Sequence, residues 1–92
     1  MKTVYKYEVQ PGYMHQAIIM PVGAELLHVD CQSQAVFVWA LVDSSSDGKS
    51  MVTRRFRLAG TGHPIAWQDN LVYRGTFQLR GGSLVFHLFE YD

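Results

Sequence analysis

Cysteine, net charge and long apolar runs are all scarce in this 92-residue chain, and each scarcity closes off a class of function. One cysteine, Cys31, rules out an internal disulfide, so a disulfide framework is not expected and a reducing setting is the default. The longest apolar run, Ala35 to Val42, falls far short of the roughly 20 residues that a membrane-spanning helix needs. No N-terminal stretch joins a basic start to an apolar run of roughly 7 to 15 residues and a small-residue cleavage site. A soluble, cytoplasmic protein without a membrane partner is therefore expected. The 8 cationic and 8 acidic side chains cancel, which argues against general nucleic-acid binding, where a basic face supplies most of the affinity.

The cancellation is uneven along the chain. Lys2 and Lys6 against Glu8, Glu25, Asp30, Asp43 and Asp47 leave −3 over residues 1–48. Lys49, Arg54, Arg55, Arg57, Arg74 and Arg80 against Asp69, Glu90 and Asp92 leave +3 over residues 49–92. This difference either gives the folded molecule a basic face or vanishes where acidic strands pair beside basic ones, and the second outcome is the one expected.

Helical periodicity is also missing over any ten residues, as are internal repeats and low-complexity segments, while alternation of period 2 runs through most of the chain. "TVYKYEV" (3–9) sets Thr3, Tyr5, Tyr7 and Val9 against Lys6 and Glu8. "AIIM" (17–20) and "AELLHVDC" (24–31) follow, the second placing Leu27, Val29 and Cys31 opposite Leu26, His28 and Asp30. "AVFVWALV" (35–42) is apolar on both faces and is predicted to lie centrally, covered above and below. With "MVTRRFRLA" (51–59) it reads as a hairpin across the polar "DSSSDGKS", with Val52, Phe56 and Leu58 inward. On this phase Arg55 and Arg57 point outward together, and Arg54 must reach the rim or a partner carboxylate, unless a bulge intervenes.

The C-terminal stretches "YRGTFQL" and "SLVFHLFEY" flank Gly81-Gly82, the chemistry of a type I′ or II′ hairpin turn. That turn pairs Leu79 with Leu84 and Phe77 with Phe86, and puts Thr76 opposite His87 and Arg74 opposite Phe89. The face bearing Val85, His87, Phe89 and Arg74 is then too apolar for free solvent, which makes it a candidate interface of a homo-oligomer. Seven strands in one domain (1–92) are predicted, as an all-β antiparallel sandwich or small barrel. One short helical turn is allowed at "HPIAWQDN", opened by Pro64.

No catalytic residues are identified. Asp43, Ser45, Asp47 and Gly48 match the first half of a calcium loop, but its twelfth position is Arg54 and not a bidentate glutamate. "GKS" at 48–50 has Asp43 where a phosphate loop needs glycine. His28 and Cys31 fall on opposite faces of their strand, and His15, His63 and His87 are scattered, so no metal site and no cofactor is expected. One stretch keeps two readings open. In "GTGHP" the backbone of Gly60 and Gly62, the Thr61 hydroxyl and the His63 ring, with Arg55 or Arg57 nearby, suit a small anion. The same residues suit a plain turn leaving the 51–59 strand, with Trp67 folded back as a plug.

Set together, "MPVGAELLHV", "WALVD", "FRLAGTGHPI" and "YRGTFQLRGGSLVFHLFE" resemble a family of short uncharacterised proteins encoded by tailed bacteriophages and prophages. The resemblance implies a stand-alone β domain made in the host cytoplasm and carries no catalytic residues with it. It leads to the expectation of a non-enzymatic binding protein that acts on a host protein or a small signalling molecule. A virion or assembly protein is the alternative, and an enzyme turning His63 and the outward arginines on a phosphate ester is the third.

Overall fold

The computed structural model describes residues 1–44, 50–66 and 70–92. The described residues form seven strands: β1 (Lys2–Val9), β2 (His15–Pro21), β3 (Glu25–Gln32), β4 (Ala35–Asp43), β5 (Met51–Gly60), β6 (Leu71–Leu79) and β7 (Leu84–Tyr91). They make two antiparallel sheets, a three-stranded one in the order β1-β4-β3 and a four-stranded one in the order β2-β5-β7-β6. The sheets do not close into a barrel, so of the two architectures that the alternation allowed, the molecule is the sandwich.

Alternation decides the core. Val9, Val29, Val36, Val38 and Val42 of the three-stranded sheet meet Met20, Phe56, Leu58, Phe77 and Leu88 of the four-stranded sheet in one buried cluster. Contact between the layers is tight where β3 crosses β6. A Cβ on Gly75 would lie 2.5 Å from Val29 Cγ1, so this position takes no side chain. β4 is central as expected, but cover on both sides is not found. Its odd-numbered Phe37, Trp39 and Leu41 lie half-buried on the outer face, where Lys6 Nζ sits 4.3 Å from the Phe37 ring centre and His28 leans on Trp39.

β4 and β5, read from sequence as a hairpin, lie in different sheets. Alternation fixes which face of a strand is buried and says nothing about its neighbour. Here β5 takes β2 and β7 as partners, and β7 brings the carboxylate that Arg54 requires. Residues 45–49 of the intervening connection, and with them most of the calcium-like and phosphate-loop patterns, lie outside the described residues.

The C-terminal hairpin has the expected register, with Leu79 opposite Leu84, Phe77 opposite Phe86 and Thr76 opposite His87. Gly81 (φ 65°) and Gly82 (φ 98°) both take positive φ and Ser83 N–H donates to the Arg80 carbonyl at 3.3 Å, the signature of a type I′ turn. Arg80–Gly82 forms a short 3-10 turn, whereas residues 63–66 are not helical. The β3–β4 hairpin has the same sign of φ at both central residues without any glycine, since Ser33 has φ 51° and Gln34 φ 71°.

Two bulges correct the expected faces. The register shifts between Leu26 and His28, which leaves Leu27 48% exposed and turns Leu26 toward the core. It shifts again between Tyr73 and Gly75, so Tyr73 and not Arg74 stands opposite Phe89. An extra residue in one strand inverts the alternation beyond it. Val52, expected inward, is exposed near the start of β5.

Candidate functional site

The charge difference between the two halves of the sequence survives folding. β1, β3 and β4, which hold the strand carboxylates of the acidic half, pair with one another, while β2, from the same half but without a carboxylate, joins β5, β6 and β7 of the basic half. Acidic strands therefore do not neutralise basic ones, contrary to expectation. The registers place Lys2, Lys6, Glu8, Glu25, Asp30 and Asp43 on the outer face of the three-stranded sheet. On the outer face of the four-stranded sheet they place Arg55 and Arg57 with His15, His87, Tyr73, Phe89 and Tyr91, and no carboxylate on any strand residue of that face.

That face is anchored from behind. β5 carries two consecutive arginines, so one must point inward. Arg54 does, donating from Nε to Glu90 Oε2 at 2.5 Å, from Nη2 to Oε1 at 2.8 Å and from Nη1 to the Ala24 carbonyl at 2.5 Å. Arg74, turned inward by its bulge, donates from Nε to Glu90 Oε1 at 2.9 Å. Glu90 is only 7% exposed. Burial pushes its carboxyl pKa up, but the hydrogen bonds and charges of Arg54 and Arg74 outweigh burial and hold it below its ordinary value. Glu90's hydrogen bond and charge hold the Arg54 guanidinium above its own ordinary value, against burial. The triad ties β5, β7 and β6 together and fixes the phase of β5, which is why Arg55 and Arg57 both look outward. Arg54 thus meets the carboxylate expected of it, whereas Arg74, expected on the interface side with Val85, His87 and Phe89, points away from that side because of the bulge.

On the outer face, Arg57 donates to the Leu58 carbonyl at 3.3 Å and to the Pro64 carbonyl at 3.4 Å, leaning toward the 60–64 segment. Among the described residues Arg55 makes no hydrogen bond or ion pair, and it stands beside a cavity of about 370 Å³ lined by His15, Gln16, Ala17, Phe56 and Tyr91. His15 and Tyr91 have nearly parallel rings, 21° apart with centres at 6.2 Å, and Tyr91 Oη lies 3.0 Å from His15 Nδ1. Two residues apart on one strand face, the two guanidinium stems are spaced about 7 Å, within reach of one phosphate or two adjacent ones.

The "GTGHP" stretch is a turn. His63 N–H donates to the Gly60 carbonyl at 2.9 Å and Gly62, at φ 87°, occupies the position where a type II turn requires positive φ. The His63 ring folds over Gly60, where a Cβ would come within 2.8 Å of Cε1 and Nδ1. Thr61 turns to the sheet, its Oγ1 2.8 Å from His87 Nε2, and Thr76 Oγ1 lies 2.9 Å from His87 Nδ1 with Tyr73 Oη 2.5 Å beyond it. Both ring nitrogens of His87 are thus held by hydroxyls, and Phe89 is met edge-on by Tyr73 at 5.7 Å. Val85, His87 and Phe89 are half-buried on the same side as Arg55 and Arg57. Of the sequence-stated ligand candidates, then, Arg55, Arg57 and Thr61 share one surface, whereas Gly60, Gly62 and His63 build the turn at its end. The reading of Trp67 as a plug lies outside the described residues. His15 was missed because the strand reading began at Ala17, although His15, Ala17 and Ile19 continue one alternation. Among the described residues no cluster of metal-ligating side chains forms.

Fold and face together define an open two-sheet β-sandwich with an acidic-leaning outer surface on one layer and a basic, aromatic one on the other. The chain belongs to a family described as a domain of unknown function, DUF7352, which matches residues 1–92. A comparison with curated proteins finds no match, and neither does a comparison with solved structures.

Proposed function

We propose that the protein is a non-enzymatic binding protein whose basic outer face captures a small phosphate-bearing molecule. The carrying observation is that Arg55 and Arg57 share a sheet face without any strand carboxylate, beside the cavity lined by His15 and Tyr91. A volume of about 370 Å³ falls within the roughly 300 to 1,000 Å³ usual for small-molecule pockets. The aromatic rings supply a surface for a planar group, and the guanidinium groups supply paired donors for phosphate oxygens. The resemblance to phage and prophage proteins supports a setting for this chemistry: a phage-encoded protein in the host cytoplasm that removes a host signalling molecule from circulation. Isothermal titration with nucleotides and with inorganic phosphate tests the reading. Wild type binds a nucleotide more tightly than phosphate, and an Arg55→Gln/Arg57→Gln variant loses most of that affinity while keeping its fold. Equal heats from wild type and variant would end the proposal.

A virion or assembly role is the second reading, favoured by the half-buried strip of Phe37, Trp39 and Leu41 beside exposed Val4 on the opposite face. Under it, the protein copurifies with mature particles.

A further inference from the structure

Two sheets of three and four strands leave four edges: β1, β3, β2 and β6. An edge strand offers unpaired N–H and C=O groups to any chain that can align with it, and proteins blunt such edges with bulges, prolines or charges. β3 is bulged at Leu26/His28, β6 is bulged at Arg74, and β2 ends on Pro21. β1 has neither device. Its eight residues, KTVYKYEV, pair in unbroken register with β4 along one side and, among the described residues, with no strand along the other.

The two lysines of β1 are the remaining guard, and one of them is drawn off the edge. Lys6 Nζ donates to Gln32 Oε1 at 3.1 Å and sits over the Phe37 ring, so its charge lies across the sheet. Among the described residues Lys2 and Glu8 make no hydrogen bond or ion pair. Val4 is 49% exposed and Tyr5 47%, although Tyr5 lies on the core-facing side of the strand, where the second sheet does not reach to cover it.

We infer that β1 is a self-association edge, pairing antiparallel with β1 of a second copy to join two three-stranded sheets into one of six strands. The sequence of the strand selects the register. A two-fold axis normal to the sheet keeps core-facing residues on one side, so it must pass through a residue pair of equal numbers. Centred on Val4, it sets Lys2 against Lys6, and centred on Lys6 it sets that lysine against itself. Centred on Tyr5, it sets Lys2 against Glu8 at both ends, Val4 against Lys6, Thr3 against Tyr7, and the two Tyr5 rings against each other. Unlike charges then face each other twice, and the exposed tyrosines cover one another. A centre on Tyr7 also opposes unlike charges, Lys6 and Glu8, but overlaps only residues 5–9. The interface is isologous and closes at two copies.

Charge reversal and its rescue test the register with full-length protein in sedimentation equilibrium. Wild type is a dimer at about 100 μM. Glu8→Lys, an exposed change that leaves the fold intact by circular dichroism, opposes lysines at both ends and weakens the dimer about tenfold or more. Lys2→Glu/Glu8→Lys opposes unlike charges again and restores it. Amide hydrogens of β1 exchange more slowly as wild-type concentration rises, and those of β6 do not change. A monomeric wild type, a Glu8→Lys variant that associates as well as wild type, or a double variant as weak as the single one would each overturn the inference.

Discussion

The two outer faces of this sandwich start from similar alternation and end with opposite character. On the three-stranded sheet, Lys2 and Lys6 are interleaved with Glu8, Glu25, Asp30 and Asp43, so charges of both signs share one face. On the four-stranded sheet the one strand carboxylate, Glu90, is turned inward and takes Arg54 and Arg74 with it, which leaves Arg55 and Arg57 as the outward charges. Neutrality over 92 residues thus conceals a segregation by layer. Net charge describes the whole molecule, whereas recognition depends on what each face presents.

The largest expected effect comes from removing the inward carboxylate. Glu90→Ala leaves Arg54 and Arg74 without their acid in a largely buried site, and costs about 3 to 5 kcal/mol in denaturant unfolding. The same triad sets an acid limit. Because the folded pKa of Glu90 lies below its ordinary 4.5, its stabilisation is complete above that value and is lost as pH falls through the folded value. Thermal melts of wild type should decline on acidification below about pH 4.5, and the slope attributable to this group should vanish in Glu90→Gln.

Next is the contact that holds the two layers in register. Gly75→Ala drives a methyl group into Val29 and should cost about 1 to 3 kcal/mol, with part of the loss recovered by Val29→Ala in the same chain. A smaller effect of opposite sign is expected at the β3–β4 turn. Gln34 holds φ 71° without being glycine, so Gln34→Gly should stabilise the protein by up to about 1 kcal/mol, read as a higher melting temperature. Smallest of all is Arg55→Gln, an exposed residue with no partner among the described residues, which should shift stability by no more than about 0.5 kcal/mol while weakening phosphate-ligand binding.

Strand positions were legible in the sequence because period 2 is a local property that each strand carries by itself. The C-terminal register was legible for a second reason: Gly81-Gly82 supports positive φ at two consecutive residues, and the turn then dictates which residues face each other. Sheet membership was not legible, since nothing in the alternation of Ala35–Asp43 distinguishes β5 from β1 as a neighbour. Faces beyond a bulge were also hidden, because one inserted residue inverts the pattern, as at Leu27 and Arg74. Gly75 was the available signal for the second of these, an isolated glycine inside a strand pattern. For the site, Arg55 and Arg57 could be named because they alternate on one strand. His15 and Tyr91 lie 76 positions apart in the chain and meet only through the pairing of β2 with β5 and β5 with β7.

The central claim is that charge segregation makes the four-stranded layer, and not the other, the anion-binding side. Amide chemical-shift mapping during titration with a nucleoside triphosphate tests it most directly. Saturable shifts should concentrate on His15, Ala17, Arg55, Arg57 and Tyr91, leave the amides of β1 and β4 unmoved, and disappear in the Arg55→Gln/Arg57→Gln variant. Shifts spread over both layers, centred on Phe37 and Trp39, or unchanged in the variant would contradict the account.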